Sequence, residues 1–263
     1  PRVRAIVPVH LFGASADLQT IGELAGRRGL FVIDDCAQAH GHPGLVAQGG
    51  FVPHASAFSF YPTKNLAAIG DAGCVLFSDH EVAQLAMSLR SYGSGGSKYE
   101  YQVSGMNSRL DPLQAAALDV SLPKLSEWNS RRREIADQYL EALGTESPAV
   151  VAPSALRDRE RSVWHHFVLR SRSRERLQRR LMELGVESDA HYPYVAEDEW
   201  HRLTKQVSRL SSKPFSRLLA NSVVSVPMNP WLTEEEVGIV CDALRAVSLE
   251  GLLDSRVPQR PHR

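Results

Sequence analysis

One lysine, Lys64, sits between an aromatic strand end and a glycine-rich turn, in the run Ser59-Phe60-Tyr61-Pro62-Thr63-Lys64-Asn65-Leu66 that leads into Gly70-Asp71-Ala72-Gly73. A lysine that attacks a carbonyl must first lose its proton. A partly desolvated pocket lowers its pKa, and Phe58, Phe60, Tyr61 and Leu66 are the apolar residues to build one. Upstream, Phe31-Val32-Ile33-Asp34-Asp35 reads as a buried strand ending in two acids, and open α/β sheets bind ligands beyond the carboxyl ends of their strands. Each half alone is weak. A lone lysine in a Pro-containing loop is ordinarily a solvated charge, and a strand-end aspartate often only caps a helix. A third element joins them: Asp35-Cys36-Ala37-Gln38-Ala39-His40-Gly41 follows the strand directly, and its small residues let a flat ring approach the backbone. The pattern is that of a cofactor cradle.

The elements that must hold this cradle follow from periodicity. Residues 3–9 read as a buried strand. Ser15 to Leu18 then opens a helix with Leu18, Ile21, Leu24 and Ala25 on one face, and residues 31–34 form the next strand. Strand, helix, strand with short connections predicts a parallel sheet. Residues 55–60 and 74–77 add strands on either side of the lysine loop. Helix follows over residues 81–89 and 112–143, the latter kinked or interrupted at Pro123. A Pro/Ser/Ala-containing passage at 144–155 marks a boundary. Beyond it come a half-buried strand at 164–170, a helix at 174–184, a short strand at 223–226 and a capped helix at 233–247. The expected organisation is an α/β domain over 1–143, a smaller α+β domain over 144–253 and a frayed polar tail over 254–263.

Composition narrows the functional classes. The 263 residues carry 30 Lys+Arg against 30 Asp+Glu, and this balance argues against nucleic acid as a partner. The basic runs at 131–133 and 170–180 are interrupted at helical spacing and read as solvated helix faces. Three cysteines without CxxC spacing disfavour a disulfide framework and a zinc site, so no metal is assigned and a reducing cytoplasm is the expected compartment. No apolar run approaches the roughly 20 residues that span a bilayer.

The ordered motifs Asp-Asp-Cys-Ala-Gln-Ala-His-Gly (34–41), Ser-Phe-Tyr-Pro-Thr-Lys-Asn-Leu (59–66) and Gly-Met-Asn-Ser-Arg-Leu-Asp (105–111) resemble the DegT/DnrJ/StrS family of pyridoxal-phosphate sugar aminotransferases. The likeness continues through Gln114, Trp128, Arg131 and Tyr139, and resumes at His191-Tyr192-Pro193 and Val226-Pro227-Met228. It implies the PLP-transferase fold of the aspartate aminotransferase type I class, with a large mostly parallel sheet domain and a small C-terminal α+β domain. Family members carry further residues ahead of the point that matches Val3, so the chain reads as N-terminally truncated, with the first part of the large domain missing. Departures include Ala67 where Gly is usual, Ser91 where Asn is common and His54 where Asp is frequent.

Roles follow from the resemblance. Lys64 holds the aldehyde of pyridoxal 5'-phosphate and carries the proton during amino transfer. Asp35 pairs with the ring nitrogen, and Ser59 contacts the phosphate. Gln38 turns its amide to the phenolic oxygen, or else is a buried amide satisfied by backbone. His40 has a structural or a proton-transfer reading. Asn107 matches a residue that reaches the neighbouring subunit's site, which implies a homodimer with shared sites. The Gly/Ser-rich loop bearing Tyr92, Lys98 and Tyr99 is either a nucleotide-sugar contact or a plain surface loop, and His191 is the candidate from the small domain facing substrate. The expected reaction moves an amino group, from glutamate, onto a keto sugar linked to a nucleotide diphosphate, at sugar carbon 3. Two alternatives stand beside it: sugar dehydration, in which a histidine replaces the lysine in related proteins, and a catalytically inactive remnant.

Overall fold

The computed structural model describes residues 3–45, 51–97, 99–144, 149–150, 162–195 and 214–254. The chain divides into two compact units, residues 1–130 with 160–163, and residues 131–159 with 164–263.

The first unit is built on a four-stranded sheet. Its strands are β1 (Ala5–Ile6), β2 (Phe31–Asp35), β3 (Ala55–Ser59) and β4 (Gly73–Phe77), in spatial order β1-β2-β3-β4. The first two pairings are parallel and the third is antiparallel. Two parallel pairings with one antiparallel edge strand make the mostly parallel sheet that was expected. β1 is shorter than the predicted strand, although Val9 still forms a parallel bridge to Asp35. Helix α1 (Leu18–Arg28) connects β1 to β2; Asp17 caps it by accepting from Thr20 N, and Gly29 ends it at φ +60°. Its buried Leu18 and Ala25 lie with Val32 of β2 in the core. Helices α2 (His80–Leu89) and α3 (Pro112–Ser121) follow, each capped by an aspartate. A 3₁₀ turn over Leu122–Lys124 then carries Pro123, as expected, and leads into α4 (Leu125–Leu143).

The division between units falls inside α4 rather than at residue 143. The second half of that helix buries Ile135, Tyr139 and Leu140 with the second unit's own residues: Tyr139 donates to Pro227 O at 3.0 Å and meets Phe167 edge-on at 5.2 Å. Arg132 donates to the carbonyls of Trp164 and Met228. The unit also contains β5 (Phe167–Arg170), α5 (Arg174–Glu183), α6 (Pro214–Ser222), β6 (Val223–Val226) and α7 (Glu234–Leu249). β5 and β6 pair antiparallel, and every residue of both is buried, so the half-buried alternation predicted for 164–170 does not hold. The cause is cover from the aromatic cluster, with Trp164 stacked on Phe167 at 5.4 Å. α7 begins with a full capping box between Thr233 and Glu236. Asp254 N donates to Arg170 O, so the chain is tied at that residue; 255–263, the rest of the expected tail, lie outside the described residues. Among the described residues no helix is long and apolar enough to cross a membrane.

Candidate active site

The parallel register pairs Asp35 with Ala57, and paired residues face the same side of a sheet. Ser59, two residues beyond Ala57, therefore shares the face of Asp35, whereas Val32 and Asp34 point to the opposite, buried side. Two strand ends thus offer a carboxyl and a hydroxyl on one surface, beyond their carboxyl termini.

Asp35 is fixed by backbone and by its own side chain. Its N–H donates to Pro8 O at 2.9 Å, its carbonyl accepts from His10 N at 3.1 Å, and Oδ1 accepts from Ala37 N at 3.0 Å. Among the described residues nothing else hydrogen-bonds to this carboxylate, so Oδ2 is left for a ligand.

On the buried side, Asp34 has two polar neighbours. His10 Nε2 lies 2.6 Å from Oδ1, and Cys36 Sγ donates to Oδ2 at 3.2 Å. His10 Nδ1 accepts from Ala16 N at 3.0 Å, which leaves the ring proton on Nε2, aimed at Asp34. These three side chains approach within metal-ligand range of one another. Cys36 Sγ is engaged with Asp34 Oδ2 and His10 Nδ1 with Ala16 N, while His10 Nε2 and Asp34 Oδ1 make a close polar contact outside hydrogen-bond geometry. Burial, followed by the Asp34 charge, pushes the Cys36 thiol far above its ordinary pKa and makes it inert. His10 is a residue sequence reasoning missed; its signal was a histidine immediately after the apolar Val7-Pro8-Val9 stretch.

Lys64 is half-buried in the loop between β3 and β4, and its backbone N–H donates to Tyr61 O at 2.9 Å. Phe60 anchors the loop at both ends, donating to Ala72 O and accepting from Ala68 N. Burial lowers the pKa of Lys64, and the Asp35 charge opposes that shift. The amine and the carboxylate therefore act on one another across the site. Gly73 is required where the loop returns: a Cβ there would lie 2.7 Å from Phe58 O.

The other expected site residues divide. Gln38 is buried, with Oε1 accepting from Phe12 N at 2.6 Å; the backbone satisfies the oxygen and fixes the amide plane. His40 is buried against the rings of Phe58 and Phe60. Burial holds its pKa down to about 4, Lys64 adds to the shift, and the Ser59 backbone offsets part of it at a geometry short of a hydrogen bond. Asn107 is exposed, and its Oδ1 accepts from Arg109 Nε at 3.0 Å. The Arg109 guanidinium also lies 5.6 Å from the ring centre of Tyr92. Tyr99 is exposed at φ +76°, and Lys98 lies outside the described residues. His191 belongs to the second unit, where its ring stacks on His166 at 4.0 Å and Nδ1 meets Ser225 Oγ at 2.9 Å.

Comparison with known proteins gives a consistent picture. The family model for the DegT/DnrJ/EryC1/StrS aminotransferase family matches residues 1–245. The chain is 40% identical over 250 residues to the erythromycin biosynthesis sensory transduction protein EryC1 of Saccharopolyspora erythraea, covering 94% of this chain and 66% of that protein. It is 39% identical over 245 residues to dTDP-3-amino-3,4,6-trideoxy-alpha-D-glucose transaminase of Streptomyces venezuelae, covering 93% and 64% respectively. The chain thus spans a little under two thirds of the length of these curated relatives. Among solved structures, S. venezuelae DesV aligns with a TM-score of 0.80 at 36% identity, covering 94% of this chain and 66% of that one. The ntda protein of Bacillus subtilis, solved with bound PMP cofactor, aligns with a TM-score of 0.83 at 28% identity, covering 95% and 57%.

Proposed function

The chain belongs to the DegT/DnrJ/EryC1/StrS aminotransferase family, and from that membership we propose that it takes part in pyridoxal-phosphate-dependent amino transfer to a keto sugar carried on a nucleotide diphosphate. The observation that carries this reading is the opposed pair at adjacent strand ends, Lys64 with a lowered pKa and Asp35 acting on it.

The donor set suits pyridoxal phosphate. An amine with a lowered pKa suits an aldehyde, a carboxylate with one oxygen available suits a protonated ring nitrogen, and a serine hydroxyl on the same face suits a phosphate. When bound, the cofactor supplies an electron sink for the charge left as a carbon next to nitrogen loses its proton. The protein's residues do the rest. Ala37 N–H orients Asp35, whose Oδ2 would hold the proton of the ring nitrogen when the cofactor is bound. Burial leaves Lys64 Nζ with an unshared pair in more molecules than a solvated lysine would have, so Nζ would serve as the nucleophile toward the aldehyde and as the carrier of the proton. Phe12 N–H fixes Gln38 Oε1 and so sets the plane of the amide, whose NH₂ would be the donor to a phenolic oxygen. Phe58 and Phe60 keep His40 dry, and an uncharged His40 adds no further positive field to Lys64.

The finer assignments rest on the relatives. Two of them are named as transaminases of dTDP-linked 3-amino sugars and a third as an aminotransferase of a UDP-linked 3-dehydro sugar, which supports carbon 3 here. Glutamate as amino donor, a homodimer in which Asn107 reaches the partner's phosphate, substrate contacts from Tyr92, Lys98, Tyr99 and His191, and a cytoplasmic location complete the proposal. Lys64 favours transfer over dehydration. The test is incubation with pyridoxal phosphate, glutamate and a dTDP-linked 3-keto sugar, followed by mass spectrometry of the sugar. Conversion of the keto group to an amine, lost in Lys64→Ala, is the expected result; amination that survives in Lys64→Ala overturns it.

A further inference from the structure

Two buried asparagines join the lysine loop to the acid loop. Asn65, next to Lys64, and Asn129, in α4, are each 3% exposed. Asn65 Nδ2 donates to Asn129 Oδ1 at 3.0 Å and to Val163 O at 2.7 Å, and Asn129 Nδ2 donates to His40 O at 2.8 Å. The orientation of both amides is dictated by chemistry. The carbonyls of His40 and Val163 can only accept, so each must face an NH₂; that leaves Asn129 Oδ1 facing Asn65. The contact also needs a glycine. At Gly41, φ is +75° and a Cβ would lie 2.8 Å from Asn129 Nδ2, so any side chain there would displace the amide. A second route closes the circuit: Val163 N and Ser162 Oγ both donate to Gly13 O, and the neighbouring Phe12 N holds Gln38. From Asn65, one path therefore runs through Asn129 to His40 and the other through Val163 and Gly13 to Gln38.

We propose that Asn65 and Asn129 form a positioning pair that sets the lysine loop against the Asp35–His40 segment, so that Nζ would meet the aldehyde of a ring whose nitrogen faces Asp35. Asn129 touches neither Lys64 nor Asp35 and acts through the two loops it bridges. Such a device matters because attack on a carbonyl is sensitive to displacements of about 1 Å. The inference rests on the amino-transfer reading of Lys64.

The test measures how fast pyridoxal phosphate attaches to each lysine, by borohydride reduction at timed intervals and peptide mass spectrometry. Labelling of exposed Lys124 serves as the internal control, and melting curves report folding. In Asn65→Ala and Asn129→Ala, labelling of Lys64 relative to Lys124 is expected to fall about tenfold. The double variant is expected to be no worse than Asn65→Ala alone, because Asn129 acts through its bond from Asn65. If Asn129→Ala does not fold, Asn129→Ser replaces it, with a hydroxyl too short to reach both loops. Folded variants that label Lys64 at the parental ratio overturn the positioning role, and so do losses that simply multiply in the double variant. Failure of the parent chain to label Lys64 in preference to Lys124 overturns instead the amino-transfer reading on which the inference stands.

Discussion

Asp35 raises the pKa of Lys64 while burial lowers it, and burial is the larger influence. Asp35 is the last residue of β2, and Lys64 lies in the loop that follows β3, the strand paired with β2. Their coupling has a sign that can be measured. In the parent chain, acylation of Lys64 by an amine reagent should show a midpoint below the ordinary lysine value. Asp35→Asn removes the opposing charge and should move that midpoint lower still. A midpoint that rises in Asp35→Asn would contradict the shared site.

His40 gives a separate dependence on pH. Its folded pKa of about 4 lies below the ordinary histidine value of 6.5, so between those values the unfolded chain binds more protons than the folded one. Its contribution is complete above pH 6.5 and is lost as pH falls through that window, by about 3 kcal/mol in full. Urea unfolding across this range should show a shallower pH dependence in His40→Phe than in the parent. Equal slopes would mean that His40 is not held neutral.

The cluster beneath the site predicts unequal effects of removing its members. His10→Ala leaves the buried Asp34 with only the weak Cys36 thiol as donor and should destabilise the first unit by about 3 kcal/mol or more. Cys36→Ala keeps the stronger partner and should cost about 1 kcal/mol. Urea midpoints decide between them, and equal losses would show that His10 does not support Asp34.

Gly73 sits where β4 returns beside Ser59. Gly73→Ala places a methyl 2.7 Å from Phe58 O and should destabilise the chain by about 1 to 3 kcal/mol, with weaker phosphate binding through displaced Ser59. Calorimetric titration with inorganic phosphate and a melting curve check both effects; unchanged values would place Ser59 outside the phosphate site.

The residues most legible in the sequence were those whose signal is local. β2 and its terminal acids, the Pro123 interruption and the capping box at Thr233 were read from hydrophobic runs and short motifs. The elements that differed were decided by distant partners. β5 is buried throughout because Tyr139 of α4 and Trp164 pack against its Phe167. α6 was not anticipated. The contact between His10 and Asp34 and the hydrogen bond from Asn65 to Asn129 span 24 and 64 positions, and no periodicity reports a pairing of that reach. Asn107 was placed by motif alone; in the single chain it is an exposed partner of Arg109.

The most direct measurement of the central claim is borohydride trapping of pyridoxal phosphate on the chain, followed by peptide mapping. The expected result is a pyridoxyl group concentrated on the peptide containing Lys64, with attachment reduced in Asp35→Ala. Label spread evenly over Lys64, Lys98 and Lys124, or unchanged attachment in Asp35→Ala, would contradict the account.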